Sequence, residues 1–435
     1  MASQSQSLAR PTPFNPAAAS GRAVVPLRVG FSWSFLGWVG YAACQWLMLC
    51  VMAKLGSAAV VGQFAFALAV CAPVFMLSNL QLRGVQSTDA LCQYRFSDYV
   101  TLRLLGSAAA VLLIAGAAAF LRLSRTVICI VLLVAAFKSL ESLGDVIAGL
   151  MQKFERLDCV AVALLLRGSI GIGLFGLCFA VGRNLPVALL VWICSATAVI
   201  ALYDFRVARR LAGFEGGMAL RFHRTTLQTL AVASLPLGLV SAITSLNSNI
   251  PRYAIAHALG VNELGIFASM AYPVTAATIV ANALGQSALA RLSRLFAEGR
   301  IKDFKRLLLK LLACGAAVAA VLVLVAAGWG SRLLSILYTP EYAKQSLLFV
   351  LLALIAGLNV MASFLVYALT AVRQFWVQLP IGLLCMLTTF VGSITLVPRF
   401  RLLGAVWALL GSVVVLITAA GTALSRTLAA NHEAS

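Results

Sequence analysis

Three ionisable residues, Lys138, Glu141 and Asp145, stand inside an apolar run near residues 126–150. Spacings of three and seven set them within about 60° of arc on one face of a helix that turns 100° per residue. A charge at the centre of a bilayer costs at least ~2.5–3.5 kcal/mol on insertion scales, so this face must meet water or other protein charges. Two more cations interrupt apolar runs: Arg167, and Arg252 in Ser248-Asn249-Ile250-Pro251-Arg252. Pro251 breaks the local hydrogen-bond ladder and frees carbonyls that need polar company. At ~1.5 Å per residue, Arg252 falls roughly 9 Å below the outer end of its helix. Arg and Lys facing a cavity suit a phosphate or pyrophosphate, because guanidinium presents paired donors that match phosphate oxygens. Glu141 or Asp145 could instead bind a coupling proton, since a desolvated carboxyl favours its neutral form. The bland alternatives are a Lys138–Glu141 ion pair that only fixes packing, and Asp145, Arg167 or Arg252 snorkelling to the interface. Asn247, Asn249, Asn79, Asn282, Gln286 and Gln45 could bond sugar hydroxyls, a role that competes with helix–helix hydrogen bonding.

The elements that must hold these residues follow from composition. The 435 residues are 62% hydrophobic and 11% charged, with a mean hydropathy of +0.99. Soluble domains carry about 45–50% apolar and ~25% charged residues, so this chain lacks the polar material to coat a water-facing surface. Apolar runs near 31–54, 60–81, 103–121, 126–150, 160–181 and 187–205 are long enough to cross a ~30 Å hydrocarbon layer. A second set lies near 232–257, 263–286, 307–328, 346–370, 378–397 and 403–424. The expected fold is therefore an all-α integral membrane protein of about twelve transmembrane helices. The formal net charge of +20 would suggest nucleic acid in a soluble protein, but no zinc spacing, RNP-like motif or aromatic-interleaved basic stripe accompanies it. Topology explains it better. With the N-terminus cytoplasmic, inside segments hold Arg83, Arg95, Arg103, Lys153, Arg156, Arg206, Arg209, Arg210 and most other cations, an excess over outside ends of better than twofold; both termini are then cytoplasmic.

Ten cysteines, including Cys44, Cys71, Cys178, Cys194 and Cys385, mostly sit in apolar runs with no CxxC pair and read as small hydrophobes. His223, His257 and His432 are too scattered for a metal site or a triad. Tyr94 to Tyr99 reads as an amphipathic helix at the membrane surface. Residues 1–28 form a polar cytoplasmic tail without a cleavable signal peptide. The polar stretches 206–228 and 288–306 are the longest connections.

Leu55-Gly56, followed by Val61-Gly62-Gln63-Phe64-Ala65, matches Leu259-Gly260, followed by Leu264-Gly265-Ile266-Phe267-Ala268. The register pairs Asn79 with Asn282. Six spans separate the two segments, so the halves are parallel repeats, a transporter architecture with its substrate path between the halves. The expected organisation is a tail at 1–28, a six-helix bundle at 29–205, a cytoplasmic linker at 206–228, a second bundle at 229–425 and a tail at 426–435.

Four patches resemble the Wzx-type polysaccharide flippases of the MOP (multidrug/oligosaccharidyl-lipid/polysaccharide) exporter superfamily. They are Leu80-Gln81-Leu82-Arg83 leading to Arg95-Phe96-Ser97-Asp98-Tyr99; Lys138-Ser139-Leu140-Glu141-Ser142-Leu143-Gly144-Asp145 with Gly149, Gln152 and Arg167-Gly168; Ser245 to Tyr253; and Glu263 to Ala268 with Asn282 to Gln286. The resemblance covers about residues 30–310. It implies two pseudo-symmetric six-helix bundles in a V, as in MATE transporters, around a cationic central cavity to which Arg83, Lys138, Glu141, Asp145, Arg167 and Arg252 contribute. It implies as substrate an undecaprenyl-diphosphate-linked oligosaccharide, moved to the periplasmic leaflet of a bacterial inner membrane for O-antigen, exopolysaccharide or capsule assembly. Membrane lipid, a polysaccharide polymerase and export machinery are the implied partners; no catalytic residue, cofactor, metal or nucleic acid is expected. A drug/cation antiporter of the same fold would favour an acidic cavity. A membrane-embedded polymerase would carry a large periplasmic loop and an acyltransferase a membrane-proximal His, and neither feature is evident.

Overall fold

The computed structural model describes residues 27–433 apart from 90, 91, 122 and 214–218. Backbone groups in hydrocarbon must be satisfied within their own segment, and a helix does this. The first half runs α1 (Leu27–Leu55), α2 (Ala58–Ser78), α3 (Leu82–Thr88), α4 (Phe96–Phe120), α5 (Arg125–Lys153), α6 (Leu157–Gly182) and α7 (Leu185–Val199), which continues through a π-helical turn, Ile200–Asp204, into α8 (Phe205–Ala212). The second half runs α9 (Arg224–Ala258), α10 (Val261–Ala297), α11 (Ile301–Leu337), α12 (Pro340–Ala343), α13 (Ser346–Ala371), α14 (Phe375–Phe400) and α15 (Leu402–Glu433). Eleven helical stretches among the described residues are long and apolar enough to cross a membrane. They coincide with eleven of the twelve expected spans, and α10, 37 residues long, covers the other. The chain is an all-α, multi-pass membrane protein. Leu112, Phe120, Leu177, Val181, Val232, Leu324 and Trp376 are exposed on its flanks, where lipid rather than water can accept them.

Local chemistry sets the helix ends. Ser57, Ser124 and Asn184 accept the backbone N–H three residues on and so begin α2, α5 and α7. Gly299 has φ +70° and turns α10 into α11 within residues 298–300. This corrects the reading of 288–306 as a long polar loop: those charges ride on helices that overrun the bilayer, 37 residues making about 55 Å. One further expectation gives way. Phe96, Ser97, Asp98 and Tyr99 are buried in the first turns of α4 rather than lying on a membrane surface, with the Arg95 N–H donating to Asp98. Helix α9 continues through Pro236 and Pro251, neither of which has an N–H for the carbonyl four residues back.

The same five packing pairs recur in each half: α1–α6, α6–α7, α4–α5, α2–α5 and α5–α7 in the first, and α9–α14, α14–α15, α11–α13, α10–α13 and α13–α15 in the second. The halves meet chiefly through α2 against α9 and α10. A Cβ on Gly62 would lie 1.7 Å from the Val261 carbonyl, and one on Gly265 1.8 Å from that of Ala58. These are the glycines matched in the sequence repeat, and they let α2 and α10 cross backbone to backbone. Around the crossing, Trp46 Nε1 donates to Tyr338 Oη at 2.8 Å, Tyr338 Oη donates to the Ser269 carbonyl at 2.9 Å, and Tyr272 Oη donates to Gln45 at 2.6 Å. Arg401 pairs with Glu263 at the same end. The halves are thus sealed at the end carrying the 55–58 and 258–261 turns. The opposite end, with the turns at 153–157 and 298–300, is the basic end.

Candidate functional site

Between the seal and the basic end lies a hollow of about 300 Å³, walled by α1, α2, α3, α5 and α6. A stripe on α1 contributes Trp38 and Tyr41, three residues apart and hence on one face. Helix α5 contributes Lys138, Glu141, Ser142 and Asp145, α3 contributes Arg83, and α6 contributes Arg167. A second recess of about 180 Å³, nearer the seal, is lined by Gln45, Phe64, Phe137, Lys138, Trp192, Arg252 and Tyr272. Ala72 and Lys138 line both. The first hollow therefore belongs to the N-terminal half, and the second half enters only through Arg252 and Tyr272 of the deeper recess. A larger recess of about 590 Å³ at the basic end of the second half carries Lys305 in an otherwise uncharged wall.

The charges form three linked groups. Lys138 Nζ meets Glu141 Oε2 at 2.6 Å, and Tyr41 Oη donates to Glu141 Oε1 at 2.9 Å. Asp145 accepts from Arg83 at 3.4 Å on one oxygen and from Arg103 at 3.1 Å on the other. Arg83 also donates to Gln152 and lies over the Trp38 ring, 5.2 Å from its centroid, as a cation–π pair. Arg167 Nη2 donates to Asp204 Oδ2 at 3.0 Å. Its guanidinium lies against Gly144, where a Cβ would come 2.3 Å from Nη1. Asn79 accepts from Ser142 at 2.8 Å and lines the first hollow.

Arg252 is differently placed. It donates to Asn249 Oδ1 at 3.0 Å, and no carboxylate among the described residues lies within ion-pair distance of it. Asn249 is buried and donates in turn to the Ser245 carbonyl, so it orients Arg252 without lining either hollow. Asn247 lines neither hollow, and its buried Oδ1 has no hydrogen-bond partner among the described residues. The side chains of Asn282 and Gln286 lie outside the described residues. Asp145 turns inward to two arginines instead of snorkelling. Together the linings set four cations, Arg83, Lys138, Arg167 and Arg252, against two carboxylates, Glu141 and Asp145.

Sequence reasoning missed Arg103 and Asp204. Arg103, counted among the loop cations, is buried inside α4. Asp204 sits at the end of a predicted span. The signal for each was a lone charge at the edge of an apolar run with an opposite charge in another run: Asp145 for Arg103, Arg167 for Asp204. Tyr41, Trp38 and Tyr272 gave no signal, because aromatics are ordinary in apolar helices.

No protein-family model matches the chain. The capsular polysaccharide biosynthesis protein CapF of Staphylococcus aureus is 26% identical over 377 residues, covering 86% of this chain and 93% of that protein. The inward-facing conformation of a multidrug resistance MATE family transporter of the MOP superfamily superposes with a TM-score of 0.64, at 12% identity, over 92% of this chain and 96% of that one. A MOP superfamily transporter from Pyrococcus furiosus, described as having a binding pocket of reverse polarity that suggests a different function, superposes with a TM-score of 0.58, at 14% identity, over 96% and 97%. The chain has the MATE-like fold, and the resemblance to polysaccharide exporters of the MOP superfamily carried by its residues is borne out by a capsular polysaccharide relative and MOP-superfamily structural neighbours.

Proposed function

We propose that the chain is a transporter for surface polysaccharide assembly, moving a polyprenyl-diphosphate-linked oligosaccharide from the cytoplasmic to the periplasmic leaflet of a bacterial inner membrane by alternating access, without covalent chemistry. The observation that carries this reading is the charge of the cavity. Four cations face two carboxylates between the spanning helices, and no carboxylate among the described residues lies within ion-pair distance of Arg252. In a low-dielectric site such an excess attracts an anion and repels a cation, which favours a diphosphate over the cationic drug of an antiporter. Phe64, Phe137 and Trp192 line the recess beside Arg252, with Phe137 stacked on Trp192, and give it an apolar wall. The CapF relative supports polysaccharide synthesis as the context. In this reading the basic end is cytoplasmic, the cavity stands open to the donor leaflet, and the two six-helix halves at 29–205 and 229–425 rock about the 206–228 linker.

The test is a vesicle assay with a lipid-linked oligosaccharide. The Lys138→Ala, Arg252→Ala double variant should insert normally and flip the lipid at least tenfold more slowly, about 1.4 kcal/mol in the barrier. Wild-type rates from that variant would remove the cationic cavity from the mechanism.

A further inference from the structure

Of the three carboxylates at the cavity and its wall, two are saturated. Glu141 has Tyr41 on one oxygen and Lys138 on the other, and Asp145 has Arg83 and Arg103. Asp204 is different. It holds Arg167 through Oδ2 alone, and neither its buried Oδ1 nor Arg167 Nε has a hydrogen-bond partner among the described residues. The side chains are 1% and 7% exposed. A buried ion pair held by one hydrogen bond recovers little of its desolvation cost, and an unsatisfied carboxylate oxygen adds to that cost. Asp204 also closes the π-helical turn 200–204 between α7 and α8, a distortion frequent at functional sites. Arg167 is the only described ion-pair partner of Asp204 and lines the hollow on its other side.

We propose that Asp204 is a proton site worked by Arg167. An anion in the hollow draws the guanidinium off Asp204, and the stranded carboxylate takes a proton from cavity water at Oδ1. When the anion leaves, Arg167 returns and Asp204 gives that proton back to water. One charge is exchanged for another at each stage, so the wall never holds an uncompensated buried carboxylate.

Among elements packed on the π-turn, α6 presents Arg167 and the Arg156–Asp158–Cys159 cluster beside Tyr203. Helix α5 presents Glu141, within reach of the Arg167 charge, α7 presents Cys194, exposed, and α8 presents Arg206, Arg209 and Arg210, all exposed. None of these but Arg167 bonds Asp204.

The proposal rests on the functional reading only for the natural identity of the anion, so inorganic pyrophosphate serves as the probe. Infrared difference spectra of the purified protein report a protonated carboxyl as a carbonyl band above the amide region. Adding pyrophosphate to wild type at neutral pH should raise that band. Asp204→Asn should lose it, Asp204→Glu should keep it at a shifted frequency, and Glu141→Gln and Asp145→Asn should keep it unchanged. Arg167→Gln should show the band at neutral pH without pyrophosphate. Persistence in Asp204→Asn, or no band on adding pyrophosphate to wild type, overturns the proposal. Failure of oligosaccharide flipping with these bands intact would count against the functional reading alone.

Discussion

Removing Lys138 and removing Arg252 have different consequences at the residue scale. Lys138 and Glu141 are each about a quarter exposed and compensate one another; Lys138→Ala leaves Glu141 with Tyr41 alone in a partly buried wall. Breaking a buried pair costs ~3–5 kcal/mol, and partial exposure here reduces that to about 1–3 kcal/mol. Arg252→Gln strands no carboxylate and keeps a donor for Asn249. The expected order in thermal melts is therefore a clear drop for Lys138→Ala, recovery of most of it in Lys138→Ala, Glu141→Ala, and little change for Arg252→Gln. Transport should nevertheless fall in all three. Equal melting losses for Lys138→Ala and the double variant would mean that the pair is solvated and its coupling negligible. The spacing of Lys138, Glu141 and Asp145 was legible because three charges in one apolar run are expensive and must share a face. Which of them pair was not legible, since Arg83, Arg103 and Tyr41 reach the site from other helices.

At the scale of the element, glycines separate close crossings from open lipid faces. Gly62 meets the Val261 carbonyl and the Gly265 nitrogen, backbone groups that cannot swing aside, whereas a Cβ on Gly116 in α4 meets nothing within 4 Å. Gly116→Ala should then be neutral or stabilising by about 0.5–1 kcal/mol from helix propensity. Gly62→Ala should lower the melting temperature, overpacking costing about 1–3 kcal/mol, and spread the ends of α2 and α10 that form the seal. Spin-label distances between those ends read the spread directly; an unchanged distance with unchanged melting would place the seal elsewhere. The break between α2 and α3 is a second marked element. Leu80 and Gln81 have φ near +50°, a left-handed conformation that L side chains adopt at a cost of ~1–2 kcal/mol each. There Gln81 donates to Ser241 of α9 at 2.8 Å, and the turn delivers Arg83 to the cavity mouth. Apolar runs located the spans because length and hydropathy are properties of the segment. They missed the 298–300 turn because charged residues continue a helix as well as they end one; Gly299, the residue that turns the chain, carried the signal.

Over the whole molecule, the repeat was the most informative feature of the sequence, since two copies of one packing scheme require two copies of its contact glycines. What it left open was how the halves sit. The structure joins them most closely at one end, through the Gly62–Gly265 crossing, Trp46–Tyr338 and Gln45–Tyr272, with a lighter contact at the other, where Gln81 meets Ser241, and places the charged hollow on the basic side of that seal. In the alternating-access cycle proposed above, exchange of access requires the seal to part, a rigid-body separation of packed halves rather than a change inside either one. In a cysteine-free background, Trp46→Cys and Tyr338→Cys bridged by a cleavable bis-thiol linker should hold the seal shut. Flipping should stop on cross-linking and return on cleavage, while either single variant treated with the same reagent keeps transporting. With the bridge in place, a cysteine introduced at Trp38 should stay reactive to a membrane-impermeant thiol reagent added at the basic end, because the proposed cycle opens the hollow to that side while the seal is shut. Continued flipping by the bridged protein would mean that the halves do not separate at this seam, and the path would have to run through a flank of the bundle instead.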